Sequence, residues 1–472
     1  MTLEEALTAW LPTQRWFAGK GIPVTGLAIT SDTPLVDGDP GLRHLILTLA
    51  QGRGTDTYQV LVGARAAVPG RLSHAVIGPA GDGMTAYDGL HDPQLTRMLT
   101  AAMAGQRTVG PVRFAREPGA RIDPRADSLV LTGEQSNTSL LYGEEAILKV
   151  FRRPSPGPNP DLEVPRALAR LGSPHVAPPL GWMEAELDGE LTVLGILSTY
   201  LRAAVDGWSL AATSVRDLYA TGYLQAAMAG GDFAGEAHRL GEATAEVHRD
   251  MAAAFGTGEL GSEALAALSA QMLDRLDAAL ATVPQLARHA GMLRAAFAEV
   301  ATVDGPLPAQ RIHGDYHLGQ AMRTQTGWVL LDFEGEPATP LAQRRARSPA
   351  LRDVAGMLRS FDYAARYQLA GHGDARRVLA AGLDWVRRNQ GAFCAGYARA
   401  GGDDPVKHAT LLRAFMLDKA VYEVVYEARN RPSWLYIPLG SIADIEAQDR
   451  WVGGTGGGSP QEGNPRGGSA WP

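Results

Sequence analysis

One loop and one short strand in the last third of the chain constrain its fold more than any other feature. The loop, His-Gly-Asp-Tyr-His-Leu-Gly-Gln, contains Asp315 and ends at Gln320. The apolar run that follows ends in Leu-Asp-Phe-Glu and places Asp332 twelve residues beyond Gln320. Phosphoryl transfer uses such a set, because one carboxylate orients a hydroxyl while an amide and a second carboxylate hold a metal ion. The spacing therefore predicts a phosphotransferase with a kinase-like catalytic loop.

Each member of this set has an expected role. Asp315 would accept a hydrogen bond from the acceptor hydroxyl and take its proton late in the transfer. Gln320 and Asp332 supply the hard oxygen ligands that suit Mg²⁺. Glu334 departs from the Asp-Phe-Gly pattern of kinases and is either a metal ligand or outer partner, or a solvated, ion-paired carboxylate. His313 would help fix the loop and is also a candidate for contact with the substrate.

A lysine and a turn predict where the nucleotide binds. Lys149 lies in the apolar run Ile-Leu-Lys-Val-Phe, and contact with the phosphates of ATP would explain an inward-facing lysine. Glu163, on the helix predicted next, is its expected ion-pair partner. The turn before Lys149 is Gly-Glu-Gln-Ser-Asn-Thr-Ser, which either brings N–H groups to the phosphates or is a plain hairpin. Its candidate nucleotide-binding residues are Gln135, Ser136, Asn137 and Thr138.

A helix near the C-terminus is the candidate acceptor site. The pattern predicts a helix over Ala414–Arg429, in which Tyr422, Glu423, Tyr426 and Glu427 share one broad face. Aromatic rings and carboxylates suit sugar binding. The alternative is an aromatic core stripe with exposed acids. Two arginines are further candidates for contact with the substrate: Arg352 and Arg431.

The order of the elements predicts an α+β protein. Residues 1–88 form a small module, residues 89–204 a strand-rich part, and residues 205–452 a mainly helical part. Strands first and helices afterwards predict two lobes with a cleft between them. The Gly/Pro-rich tail, residues 453–472, is predicted to be disordered.

Composition limits the partners and the location. A net charge of −7 argues against nucleic acid binding. The single cysteine, Cys394, excludes an intramolecular disulfide and fits a reducing compartment. No apolar run approaches the ~20 residues of a membrane span, and the N-terminus lacks the basic cluster of a signal peptide. We therefore expect a cytoplasmic protein with no membrane partner. The sequence leaves the oligomeric state open, with a monomer favoured.

Several segments together resemble the maltokinases of actinobacteria, relatives of aminoglycoside and choline phosphotransferases. The resemblance covers most of the chain but not the glycine-rich tail. The Asp-Phe-Glu-Gly-Glu-Pro segment and the Lys-Ala-Val-Tyr-Glu helix are more specific than His-Gly-Asp alone. The segments that carry the resemblance include Gln14–Lys20, Gly133–Ser139, Asn159–Glu163, His313–Gln320, Asp332–Pro337, Leu351–Gly356 and Lys419–Glu423.

This resemblance implies a bilobal protein-kinase-like, aminoglycoside phosphotransferase-like fold with an N-terminal cap module. It implies ATP- and Mg²⁺-dependent phosphorylation of maltose at its anomeric hydroxyl. The product, maltose 1-phosphate, would feed α-glucan (glycogen) synthesis, with a trehalose synthase as an associated partner. By the family pattern Asp315 is the base, Gln320 and Asp332 bind Mg²⁺, and Lys149 with the preceding turn holds ATP.

The acceptor stays open between two sugars, with maltose favoured. Glucosamine kinases of actinobacteria look like maltokinases in the same catalytic segments. An amino sugar needs a carboxylate near its ammonium group, which Glu423 or Glu427 could supply. Maltose needs an aromatic platform for its second ring, for which Trp434 and Tyr436 are candidates. A non-catalytic pseudokinase-like module is a further hypothesis, but Asp315 and its partners, which it could dispense with, are all present.

Overall fold

The computed structural model describes residues 1–52, 54–131, 136–221, 225–228, 231–336, 339–369 and 375–454. Strands dominate up to Thr199 and helices dominate afterwards, so the chain is an α+β protein, as its sequence predicts. No helix within these ranges is long and apolar enough to cross a membrane. The tail predicted over 453–472 lies outside them from residue 455 onward.

The N-terminal part is an antiparallel sheet with one helix packed on its outer face. Its elements are α1 (Leu3–Trp10), β1 (Val24–Val36), β2 (Gly41–Gln51), β3 (Gly54–Arg65), β4 (Val76–Gly81) and β5 (Met84–Asp88). The strand order is β1-β2-β3-β5-β4. Along β2, Leu45 and Leu47 pack with α1, whereas Ile46 faces the rest of the molecule. Burial on both faces explains the nearly continuous apolar sequence of this strand.

A seven-stranded antiparallel sheet forms the next part. Its elements are α2 (Pro93–Ala104), β6 (Thr108–Val109), β7 (Val112–Arg116), β8 (Ser128–Leu131), β9 (Asn137–Tyr142), β10 (Ala146–Phe151), α3 (Pro160–Arg170), β11 (Pro179–Leu187) and β12 (Glu190–Thr199). The strand order is β6-β7-β11-β12-β10-β9-β8. Leu148 and Val150 enter the core shared with the N-terminal sheet. Lys149 lies between them on β10 and therefore faces the opposite side, towards the helical part.

The third part is mainly helical. Its elements are β13 (Val205–Asp206), α4 (Gly207–Thr221), α5 (Ala234–Phe255), β14 (Thr257–Leu260), α6 (Ser262–Thr282), α7 (Ala290–Glu299), β15 (Leu307–Gln310), β16 (Ala321–Arg323), β17 (Trp328–Leu330), α8 (Leu341–Arg344), α9 (Leu351–Tyr367), α10 (Ala375–Arg399), α11 (Ala409–Asn430) and α12 (Tyr436–Gly454). Trp328, Phe361 and Trp385 lie in its core. The loop that carries Asp315 joins β15 to β16, so two short strands fix its ends.

A buried arginine joins the N-terminal sheet to the seven-stranded sheet. Arg152 follows β10 and lies 2.5 Å from the carboxylate of Asp88 at the end of β5. Its Nε donates to the hydroxyl of Thr138 at 2.8 Å, and its guanidinium lies 4.6 Å from the centroid of the Trp16 ring. Both members of the ion pair are almost fully buried. Removing one partner would therefore leave an uncompensated charge in the interior.

We expect Asp88→Asn to destabilise the folded protein by about 3–5 kcal/mol, the usual cost of breaking a buried ion pair. Asparagine keeps the shape of the side chain and its capping contact with the Leu90 N–H, so the lost charge is the main change. The measurement is urea and thermal unfolding of both proteins.

The matched control is Asp56→Asn, which breaks the Arg153–Asp56 pair between the same two parts. That pair has the same 2.5 Å distance but side chains 47% and 34% exposed, so its loss should cost less than about 1 kcal/mol. Equal effects of the two substitutions would contradict the importance assigned to burial.

Candidate active site

One buried carboxylate, that of Asp353 near the start of α9, holds the loop that carries Asp315. The carboxylate accepts hydrogen bonds from the backbone N–H groups of His313 at 2.7 Å and Gly314 at 2.9 Å, one on each oxygen. A ring nitrogen of His248 lies 3.0 Å away. Burial by itself raises the pKa of Asp353, but the hydrogen bonds and the nearby imidazoles outweigh it, and the pKa is lowered. The ionised form of Asp353 is therefore the one that fixes the loop.

His313 belongs to this support. Its ring is buried, with Nε2 2.8 Å from the carbonyl oxygen of Leu331, and it packs against the rings of Tyr316 and Phe333. Gly314 follows with a φ of +86°, which a side chain would disfavour. The expected contact between His313 and the substrate is therefore not what the structure gives, because the ring is enclosed by the loop that it stabilises.

Lys149 lies where three carboxylates meet. Its Nζ is 2.9 Å from Asp161, 2.7 Å from Asp332 and 2.5 Å from Glu334. Burial lowers the pKa of Lys149, but these carboxylates outweigh that effect and raise the pKa well above its ordinary value. The lysine thus faces the cleft between the seven-stranded sheet and the helical part, and its position in an apolar strand predicts such an inward orientation.

Glu163, the expected partner of Lys149, pairs with other residues. Its carboxylate is 2.8 Å from Arg345 and 3.2 Å from Arg311. Burial raises the pKa of Glu163, but the two arginines outweigh it, and the pKa is lowered. The predicted Lys149–Glu163 pair is wrong, because two residues along a helix correspond to about 200° of rotation. Asp161, two positions earlier on α3, faces the lysine instead.

The predicted metal ligands lie together, and Asp161 joins them. Oxygen atoms of Asp161, Asp332 and Glu334 all lie within 4.8 Å of one another. The side-chain amide nitrogen of Gln320 is 3.2 Å from Asp332. Asp332 also has a φ of +63°, a conformation that its surroundings must maintain. Hard oxygen donors grouped in this way fit Mg²⁺.

The charges of Lys149 and its three carboxylate partners do not balance. Three carboxylates surround the single ammonium of Lys149, so negative charge is in excess. Burial raises the pKa of Glu334, and the negative charges of Asp161 and Asp332 raise it further. Together these effects exceed the lowering by Lys149, so the pKa is raised overall. Burial also raises the pKa of Asp332, but the ammonium group of Lys149 outweighs that effect, and the pKa of Asp332 is lowered. A divalent cation would supply the missing positive charge.

The turn expected to contact the nucleotide is only partly described. Gln135 falls outside the part of the chain that the structure describes. Ser136 is exposed beside the start of β9, with its hydroxyl 3.3 Å from Nδ2 of Asn137. Thr138 is buried, and its hydroxyl accepts the hydrogen bond from Arg152. Thr138 therefore anchors the turn, and Ser136 and Asn137 keep their place as candidates for contact with a phosphate.

On the side of the cleft expected to hold the acceptor, Asp315 meets Lys419, a residue for which the sequence predicted no role. The Nζ of Lys419, on α11, is 3.0 Å from Asp315 and 3.2 Å from Glu336. Burial lowers the pKa of Lys419, but Asp315 and Glu336 outweigh it, and the pKa is raised. A signal was present, because Lys419 lies one helical turn before Glu423 in the segment that carries the resemblance.

Glu423 and Glu427, the two glutamates that could contact the sugar, are paired with arginines of the helical part. Glu423 is largely buried, 2.5 Å from the guanidinium of Arg359, and burial raises its pKa. Glu427 accepts from the hydroxyl of Tyr363 at 2.8 Å and pairs with Arg431 at 2.7 Å. Glu423 and Arg431 are thus each held by an oppositely charged side chain, and contact of either with the substrate stays a prediction.

The tyrosines of the same helix remain accessible. Tyr422 and Tyr426 are 36% and 43% exposed, with nearly parallel rings whose centroids are 6.3 Å apart. The Nζ of Lys419 lies 4.8 Å from the centroid of the Tyr422 ring, so the two rings lead away from the neighbourhood of Asp315. Arg352 is exposed on α9, beside Asp353 in the sequence.

Comparison with known proteins supports the assignment as a kinase. Residues 10–92 match the model of the maltokinase N-terminal cap domain. The glucosamine kinase of Streptacidiphilus jiangxiensis is 31% identical over 362 residues, which cover 74% of this chain and 80% of that protein. The chain belongs to the same family of sugar kinases. The glucosamine kinase of Mycolicibacterium smegmatis is 30% identical over 325 residues, covering 65% of this chain and 77% of that protein.

Solved structures extend the likeness to the whole fold. A glucosamine kinase in complex with glucosamine, ADP and inorganic phosphate matches 94% of this chain and 98% of its own length, with a TM-score of 0.66 and 25% identity. Crystal form B of a glucosamine kinase gives a TM-score of 0.67. The kinase-like fold with an N-terminal cap is thereby confirmed, and this kinase is a phosphotransferase of the sugar-kinase type.

Replacing Asp353 with Asn should release the catalytic loop. Folding lowers the pKa of Asp353, so the ionised carboxylate stabilises the folded protein fully at pH values above the unfolded pKa of about 3.9. This stabilisation is lost as the pH falls through the pKa of the folded protein. We expect the variant to lose stability at pH 7, to lose less of it on acidification, and to turn over about 100-fold more slowly. Steady-state kinetics and unfolding at several pH values test this.

Asp384→Asn on α10 is the matched control, since Asp384 also accepts a backbone hydrogen bond, from Ala226 at 2.9 Å. It should change stability with little effect on kcat. Similar kcat values for the Asp353 and Asp384 variants would show that Asp353 does not position the loop.

Proposed function

We propose that this kinase transfers the γ-phosphoryl group of ATP to the anomeric hydroxyl of maltose and so forms maltose 1-phosphate. Asp315 accepts a hydrogen bond from that hydroxyl and takes its proton as the new bond forms. Lys149 brings positive charge to the phosphates from the nucleotide side. Bound Mg²⁺, held by Asp161, Asp332, Glu334 and Gln320, would neutralise charge on the phosphate oxygens.

The observation that carries the choice of a neutral sugar is the pairing of Glu423 and Glu427. An amino sugar needs a carboxylate partner for its ammonium group, since an unpaired charge is costly in a partly buried site. Arg359 already neutralises Glu423, and Arg431 neutralises Glu427. These carboxylates are therefore poor partners for a substrate cation.

Two further features favour a disaccharide. The exposed rings of Tyr422 and Tyr426 offer a platform beyond the first sugar ring, next to Lys419 and Asp315. The match to the maltokinase cap domain over residues 10–92 supports the same choice. With maltose as acceptor, the product is the one that the resemblance links to α-glucan synthesis, with a trehalose synthase as the expected partner and the cytoplasm as the expected location.

Glucosamine is the second candidate acceptor. The observation in its favour is that both curated relatives described above are glucosamine kinases. The two candidates share the catalytic loop, the metal ligands and Lys149, so they differ only in the groups that face the acceptor.

An ADP-release assay with ATP and Mg²⁺ separates the two sugars. We expect turnover that saturates with maltose and near-silence with glucosamine over the same concentrations, because glucosamine lacks a free carboxylate partner. Phosphorus NMR of the product should show phosphate on the anomeric carbon. Saturation with glucosamine alone would contradict the choice of maltose and leave the catalytic assignments in place.

Asp315→Asn tests the assignment of the base. Loss of a general base costs about 10²–10⁴-fold in rate, so kcat should fall within that range while ATP still binds, because Asp315 lies on the acceptor side. Calorimetric titration with a non-hydrolysable ATP analogue measures the retained binding. Lys149→Met is the complementary variant and should weaken nucleotide binding. Undiminished turnover by the Asp315 variant would exclude this mechanism and favour a different base.

A further inference from the structure

The ammonium group of Lys419 occupies the acceptor side of the site. It lies 3.0 Å from Asp315 and 3.2 Å from Glu336, and the Lys419 side chain is 24% exposed to solvent. The Tyr422 ring covers it, with the centroid 4.8 Å from Nζ. Any hydroxyl that approaches Asp315 as a phosphoryl acceptor must therefore come close to a fixed positive charge.

The carboxylates around this position are already paired with cations. Asp315 and Glu336 share Lys419, and Glu423, one turn along α11, is held by Arg359. A substrate ammonium would have to compete with Lys419 for its two carboxylates, or stay beside Lys419 at like charge. Both are unfavourable in a partly buried site, where charges are screened less than in water.

The hydrogen-bonding capacity of Lys419 points the same way. An ammonium group has three donors and no acceptor. Two donors are used by Asp315 and Glu336, which leaves one for a substrate oxygen. A sugar hydroxyl can accept that hydrogen bond, whereas the protonated amine of an amino sugar has only donors and cannot.

We propose that Lys419 is the specificity-determining residue of this kinase and selects uncharged sugars against amino sugars. The inference rests on the proposed sugar-kinase function and adds the residue that enforces its substrate class. Lys419 acts in two ways, by holding the acceptor-side carboxylates and by presenting a donor that only a neutral oxygen can use.

The test compares two sugars that differ in one group, glucose and glucosamine, as competitive inhibitors of maltose turnover. In the wild-type enzyme at pH 6.5 we expect glucosamine to bind at least about tenfold more weakly than glucose, from like-charge repulsion. Lys419→Met should reduce that ratio at least about tenfold. Lys419→Arg keeps the charge and should keep the ratio.

A pH series on the wild-type enzyme provides a readout that a purely structural role would not move. Raising the pH through the pKa of the sugar amine should improve the binding of glucosamine relative to glucose. In Lys419→Met this improvement should be largely absent. The series also keeps the inference testable if the Met variant folds poorly.

Failure of this inference is distinguishable from failure of the proposed function. If maltose is the substrate but the glucose-to-glucosamine ratio is the same in all three proteins, the role of Lys419 is wrong and the function stands. If another neutral sugar is turned over instead, the choice of maltose is wrong, and the same ratio measured against that sugar decides the role of Lys419. Equal wild-type binding of glucose and glucosamine, checked by calorimetry with ADP present, would overturn the inference.

Discussion

The contact between Lys149 and its three carboxylates is the interaction on which the site depends. The lysine comes from the seven-stranded sheet, Asp161 from the helix that follows it, and Asp332 and Glu334 from the helical lobe. One ammonium group therefore links the seven-stranded sheet to the helical part and gathers oxygen atoms of the kind that suit a metal ion. The surplus of negative charge left around it would favour the binding of a cation.

A second set of charges organises the acceptor side by a similar principle. Buried arginines hold the acids of the helical lobe, as Arg359 does for Asp362 and Glu423. Because these pairs are largely removed from water, each acid is committed to its partner. The side of the cleft that we propose for the acceptor is left with Asp315, Lys419 and exposed tyrosines, and this combination underlies the proposed preference for hydroxyl groups over amines.

The grouping of the candidate catalytic residues was largely predictable because short segments carry them. Asp315, Gln320 and Asp332 lie within one loop and the strand after it, so their spacing along the chain limits their separation in space. Lys149 was predictable for a different reason, since a charged residue in an apolar strand requires a partner. Residues that act across the fold, such as Lys419, carried a much weaker signal.

The sequence by itself determined the order of strands and helices and which residues are candidates for the catalytic loop and the metal site, because these depend on local spacing and hydrophobic pattern. Only the tertiary structure decided which charges meet. In the structure Lys149 pairs with Asp161 and not with Glu163, and His313 is enclosed within its own loop. Glu423 and Glu427 are each paired with an arginine. The physical reason is that an ion pair depends on the directions of side chains from distant elements, and a rotation of half a helical turn changes the partner.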